Sequence, residues 1–212
     1  MNNVIANVKM RHLAPIVGLL AILPVFFVYA DKWMVDSLKI FLMGHATISA
    51  VLKLVDPVCN FLFHGTTQIT AATILFLIGR YLYRPLYLPG RQFLFILATS
   101  GLTVQIIKHL VGRARPRITD TFFAVGPSLM RGYDSFPSGH TTLAFSLAYI
   151  LSSYYGRLSV VFYFIAMLAG FDRVKDGSHF PSDVIAGAFL GIAVAKLLMS
   201  RLNREGASDR AK

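Results

Sequence analysis

Six uncharged apolar blocks constrain this chain more than any other feature. Residues 13–30, 57–79, 92–107, 135–156, 158–171 and 184–195 contain no Asp, Glu, Lys or Arg. A bilayer core takes about 20 helical residues to cross, so blocks of this kind read as transmembrane helices. The expectation is an all-α, polytopic membrane helix bundle of about six transmembrane helices with an interfacial amphipathic segment. The 158–171 block reaches full length if the turn at Tyr155-Gly156-Arg157 lends residues or the bilayer thins locally. Composition agrees: 55% hydrophobic and 15% charged residues are too apolar for an ordinary soluble domain, and 212 residues is the length of one domain.

The net charge of +11 raises nucleic acid as a partner. Binding of that kind is disfavoured, because the basic residues are scattered among the blocks and no run of five or more occurs. Anionic lipid is the more natural partner. Cys59 is the only cysteine, so neither an intrachain disulfide nor a Cys/His metal cluster can form.

Lys9 and Arg11 precede the first block, and Val28-Tyr29-Ala30 resembles a signal-peptide cleavage site. The long bulky core favours a retained helix. Residues 31–65 form the interfacial segment: Met34, Leu38, Phe41, Leu42 and Val51 alternate with Asp36, Ser37, Lys39, His45, Ser49 and Lys53, the pattern of an amphipathic helix. It is either a packing helix, the favoured reading, or a lid or lateral gate for lipid. His45 and His64 read as polar interface residues rather than ligands. A Pro-rich loop with Arg80, Arg84 and Arg91 belongs on the cytoplasmic side. Six spans put both termini on that side, and the polar tail 201–212 adds Arg201, Arg204, Arg210 and Lys212. The opposite loops carry Asp31, Asp36, Asp56, Asp120, Asp134, Asp172, Asp176 and Asp183, eight of the ten acids.

Three polar clusters fall at that opposite surface. The first, 108–117, holds Lys108 and Arg115 seven residues apart, two turns if the helix continues, with Pro116 marking the exit into a loop. A cation at this depth costs about 2.5–3.5 kcal/mol, so Lys108 needs a partner or an aqueous cavity. Arg113 and Arg117 read as headgroup contacts, and the following loop, 118–136, as irregular. The second cluster is Pro137-Ser138-Gly139-His140, at the head of an apolar helix. Ser138 is an N-cap candidate that leaves the Gly139 and His140 amides at a helix start, where the dipole favours an anion. Gly139 lets backbone approach a phosphate closely. The third cluster brings Arg173, His179 and Asp183: a guanidinium can hold an anion, an imidazole attack it and a carboxylate stabilise the charged ring. Gly187-x-x-x-Gly191 is a small-residue motif for packing within the bundle or for a dimer.

Taken together, Lys108 to Pro116, Pro137 to His140 and Arg173 to Asp183 resemble the three motifs of the type-2 phosphatidic acid phosphatase superfamily, membrane lipid phosphatases related to soluble vanadate haloperoxidases. The resemblance covers the last three-fifths of the chain. It implies one integral membrane phosphatase domain over 1–212, with its core motifs at 108–183. It also implies that His179 forms a phosphohistidine, that Asp183 orients and stabilises the ring, and that His140 protonates the leaving oxygen and then activates water. Lys108, Arg115, Arg173, Ser138 and Gly139 would bind the phosphoryl oxygens, and three fixed cations imply no metal and no cofactor. His109 lies outside the motif. Asp172 stands where the family has serine, free to pair with Arg173 or Lys175 or to face away. The implied function is hydrolysis of a lipid phosphomonoester or diphosphate at the non-cytoplasmic face of a bacterial inner membrane. The alternatives are a lipid phosphotransferase and a non-enzymatic phospholipid transporter. Phosphatidic acid, phosphatidylglycerol phosphate, polyprenyl diphosphate and lipid A are the open substrates.

Overall fold

The structure, a computed structural model, describes residues 30–118 and 126–208. Among them are seven α-helices: α1 (Asp31–Gly44), α2 (Ala46–Phe63), α3 (Gly65–Tyr81), α4 (Tyr87–Val111), α5 (Gly139–Tyr154), α6 (Ser159–Lys175) and α7 (Pro181–Ser208). Short 3-10 turns precede α4 (Arg84–Leu86) and α6 (Gly156–Leu158).

Among the described residues, three stretches are long and apolar enough to cross a membrane: Ala46–Phe63, Arg84–Val111 and Pro181–Arg204. The six-span expectation changes accordingly. Helices α3, α5 and α6 occupy expected blocks but run only 17, 16 and 17 residues. The first block and the proposed cleavage site lie outside the described residues. The interfacial segment is two helices broken at His45, and the second of them is itself a candidate span. Its residues explain this: Leu54 and Phe61 are exposed on a helix that takes Pro57 into its interior, so its apolar surface faces outward. The block at 57–79 is divided at His64, whose extended backbone separates α2 from α3.

Four further boundaries move. The Pro-rich loop shrinks to a turn, because Tyr87 already starts α4 and Pro89 sits in its first turn, where a missing N–H costs nothing. At its other end α4 stops at Val111 on left-handed Gly112 (φ 57°), so Lys108 is helical and Arg115 is not. A Cβ at Gly112 would lie 1.8 Å from the Gly126 carbonyl oxygen, so the turn requires glycine. Helix α6 gains length at its C-terminal end, through Asp172–Lys175, rather than from the turn before it. The expected polar tail is helical as far as Ser208: Leu202 is buried and Gln92 donates to Asn203 Oδ1 at 2.7 Å.

Helix α5 lies at the centre, against α7, α6 and α4, with α3 packed on α4. A Cβ at Gly187 would come within 2.7 Å of the Ser138 carbonyl oxygen, and one at Gly191 within 2.2 Å of that of Thr142. The small-residue motif thus seats α7 directly on the α5 backbone, within the bundle. Ser146 donates to the Gly191 carbonyl at 3.1 Å and pairs with Ser100 at 2.9 Å, which ties α4, α5 and α7 together. Because these helices are antiparallel in sequence, the end of α4, the start of α5 and the α6–α7 turn share one end of the bundle.

Candidate active site

The short segment before α5 organises that end. Arg115 N–H donates to the Gly132 carbonyl and Ser135 N–H to that of Arg113, so the chain leaving α4 is zipped to the chain entering α5. From this segment Asp134 accepts two bonds from Arg115, at 2.9 and 2.6 Å, and its backbone carbonyl accepts from Lys108 Nζ. Burial pushes the Asp134 carboxyl up, but Arg115 and Lys108 outweigh it and hold the carboxyl below its usual range. Lys108 thereby has both the partner and the cavity its depth demands.

One residue on, the Ser135 carbonyl accepts a 2.7 Å hydrogen bond from His179 Nδ1. Asp183 Oδ2 lies 3.7 Å from the same nitrogen, close enough for charge stabilisation but farther than the carbonyl. Burial holds the His179 imidazole below the ordinary histidine range, with Asp183 acting in the opposite direction. The loop carrying His179 wraps around a single carbonyl: Ser178 and His179 N–H both bond to Arg173 O at 3.1 Å. Asp183, third in α7, reaches back to the Phe180 N–H at 2.8 Å, which is half of a capping box. It also accepts from Ser135 Oγ at 2.5 Å and from Arg113 Nη1 at 2.5 Å.

Arg113 is the largest correction at the site. Expected to meet headgroups, it is 1% exposed, stacks 4.2 Å over the Phe180 ring and donates to Asp31 at 2.8 Å and Ser182 at 2.8 Å as well as to Asp183. Asp31 accepts the Ser182 N–H at 2.9 Å and its hydroxyl too. Burial raises the Asp31 carboxyl above its usual range, against the pull of Arg113 and Ser182. No local sequence signal marked this pair: in an extended Arg-Ala-Arg the two guanidinium groups would leave the chain on the same side, so their separation is set by the partners that Asp31, Asp183 and Asp134 supply.

A cavity of about 360 Å³ opens between α3, α4 and α5, lined on its polar side by Lys108, Arg115, Gly139, His140 and His64. Among the described residues His140 Nε2 is buried without a hydrogen-bond partner, and the electrostatic neighbours of the ring are Arg173, His179, His64 and Lys108. His64 was expected only at the interface, yet it meets His140 edge-on at 5.6 Å. Ser138 is the residue before α5, as expected of a cap, but makes no side-chain capping bond; it is fully buried and accepts from Thr141 Oγ1 at 2.9 Å. Arg173 is buried, bound to Asp172 and 3.4 Å from Asp176. Asp172 does not face away: it also accepts from Lys175 at 2.9 Å, and Lys175 bonds Asp56 of α2. Asp56, Asp172 and Asp176 bring oxygens within 4.8 Å of one another, with Lys175 and Arg173 neutralising the group. His109 is exposed, with Nδ1 on the Ser128 carbonyl.

A family model described as the PAP2 superfamily matches residues 89–207, which contain every one of these cavity cations. A lipid A 1-phosphatase from Rhizobium johnstonii is 36% identical over 105 residues, covering 48% of this chain and 43% of the relative, so the match spans less than half of that protein. Phosphatidylglycerophosphatase B from Bacillus subtilis is 28% identical over 164 residues, covering 69% of this chain and 77% of that one. The crystal structure of a transmembrane PAP2-type phosphatidylglycerolphosphate phosphatase from Bacillus subtilis superposes with a TM-score of 0.60 at 22% identity, covering 94% of this chain and 96% of the other, a likeness of fold.

Proposed function

The chain belongs to the PAP2 superfamily, and from that premise we propose that it is a membrane lipid phosphate phosphatase that works through a phosphohistidine on His179. One observation carries the mechanism. The Ser135 carbonyl can only accept, so His179 Nδ1 holds the hydrogen and Nε2 keeps its lone pair. Nε2 attacks phosphorus while the bond from phosphorus to the lipid oxygen breaks. His140, as the imidazolium and with Nε2 unpartnered among the described residues, gives that oxygen its proton. The resulting neutral base takes a proton from water; the hydroxide displaces His179 from phosphorus, releasing inorganic phosphate and restoring both rings.

Lys108, Arg115 and Arg173 stabilise the phosphoryl charge, with the Gly139 amide at the start of α5 adding a donor. Asp183 steadies the positive ring from 3.7 Å. The relatives named as lipid A 1-phosphatase and phosphatidylglycerophosphatase support a lipid substrate. The turn at Arg84–Leu86, at the opposite end of α4 from the site, supports a site on the non-cytoplasmic face of a bacterial inner membrane.

Phosphate release from a panel of lipid phosphates in detergent, with excess chelator, tests this reading. Wild type should release phosphate, and His179→Ala should lose nearly all turnover. Equal release by the two proteins would overturn the phosphohistidine.

A further inference from the structure

The cavity is graded along its depth, and the grading bears on the substrate. Its lining on α4 is the stripe Lys108, Gln105, Val104 and Gly101, one helix face that descends about 10 Å from the cationic end. At the top are Lys108, Arg115 and His140. Roughly one helical turn lower, about 4.5 Å by helix rise, stands Gln105. His64 and Thr66 enter from the head of α3, with His64 Nδ1 fixed to Thr66 Oγ1 at 2.7 Å. Below these the lining is apolar: Ile69, Val104 and Leu143. A Cβ on Gly101 would lie 3.8 Å from Ile69 and 4.0 Å from Leu143, so glycine leaves the floor open to a chain.

Gln105 is exposed at the cavity wall and makes no side-chain hydrogen bond among the described residues, about one turn farther along the candidate span than Lys108. An amide at such depth is disfavoured unless something polar meets it. The mechanism makes no use of Gln105, His64 or Thr66. The order of the lining is ionic, then neutral hydrogen-bonding, then apolar. A glycerolipid or a saccharolipid has that same order: phosphate, an oxygen-rich glycerol or sugar carrying ester or hydroxyl oxygens, then acyl chain. A prenyl phosphate lacks the middle layer, since its chain is hydrocarbon from the first carbon onward.

Resting on the hydrolase reading above, we propose that Gln105, with His64 and Thr66, forms a subsite for the oxygen-rich linker next to the phosphate, which selects glycerol- or sugar-linked lipid phosphates over prenyl phosphates. The linker oxygens accept from the Gln105 amide, and the His64 edge, held by Thr66, borders the leaving oxygen beside His140. His64 and Gln105 act in specificity; neither takes part in the bond changes.

The test uses Gln105→Leu, which keeps the side-chain bulk, with phosphatidic acid and farnesyl monophosphate as paired substrates in detergent. One hydrogen bond to the linker predicts a loss of about tenfold in kcat/KM on phosphatidic acid, with farnesyl monophosphate changed by less than about twofold. An equal loss on both substrates, or a wild-type preference for farnesyl monophosphate, overturns the subsite. Equilibrium binding of the same two lipids to His179→Ala, with and without Gln105→Leu, separates this inference from the hydrolase reading. A preference for phosphatidic acid that Gln105→Leu abolishes supports the subsite even if no phosphate is ever released. Equal binding of the two lipids to His179→Ala overturns it whatever the turnover.

Discussion

Arg113 and Arg115 are two residues apart and sit in opposite surroundings. The Arg113 side chain is 2% exposed, between two carboxylates, Asp31 and Asp183, that are 0% exposed. The Arg115 side chain is 19% exposed and its partner Asp134 30%. Both are salt bridges on paper. In the sealed pair the guanidinium cannot be exchanged for anything, because neither water nor a ligand reaches it. In the open pair a phosphate can take the place of the carboxylate, since each offers two anionic oxygens to the same fork. Depth separates an arginine sealed between carboxylates from one that, in the mechanism proposed above, binds the phosphoryl group.

The largest expected effect breaks the sealed pair. Arg113→Ala would leave Asp31 and Asp183 buried without their shared cation, a cost of about 3–5 kcal/mol. Thermal unfolding in detergent should show a large drop, and Arg113→Lys only a partial rescue, because an ammonium cannot fork toward two carboxylates at once. An unchanged melting temperature for Arg113→Ala would show that the cluster adds nothing to the fold. Arg115→Ala should behave in the opposite sense. Its melting temperature should move far less, since a pair open to solvent on one side is worth about 1 kcal/mol. Its kcat/KM should fall about 10²–10³-fold, as expected for a donor lost from a developing charge. If Arg115→Ala unfolds the protein, the contrast between the two residues fails.

The same contrast explains what could be read from sequence. Blocks of uncharged residues foretold an all-α bundle, because hydrocarbon leaves the backbone little choice. The alternation of apolar blocks foretold that Lys108, Arg115, His140 and His179 share one end, because antiparallel helices bring alternate connections together. What stayed hidden depends on pairing across long sequence distances. Asp31 reaches Ser182 over 151 residues and Arg113 over 82, and nothing local to either marks such a contact. Asp134 and Ser135 lay in a stretch that read as an irregular loop, yet they tie the first cluster to the third through two carbonyls, a carboxylate and a hydroxyl. Backbone carbonyls leave no sequence signature. Helix ends were also misjudged: apolar runs set where a helix can lie, whereas Gly112 and the extended backbone of His64 set where it stops.

The mildest effect concerns His179, where the sealed and open regions meet. In the proposed mechanism the neutral ring is the nucleophile, so activity needs the proton off Nε2. Burial keeps the native ring's pKa below the ordinary value of 6.5, with Asp183 opposing. Between the ordinary and the native value, an unfolded histidine binds a proton that the native one refuses. Stability from this group is therefore complete above the ordinary value and declines as pH falls toward the native one. The neutral nucleophile persists over the same interval. The acidic limb of kcat/KM assigned to His179 should accordingly lie below pH 6.5, and thermal stability should begin to decline as pH drops through the same range. A phosphohistidine-forming step whose rate halves at or above pH 6.5 would mean that Asp183, rather than burial, governs the ring. The 3.7 Å contact would then outweigh the sealed surroundings, and His179 would belong with the open, exchangeable region beside Arg115.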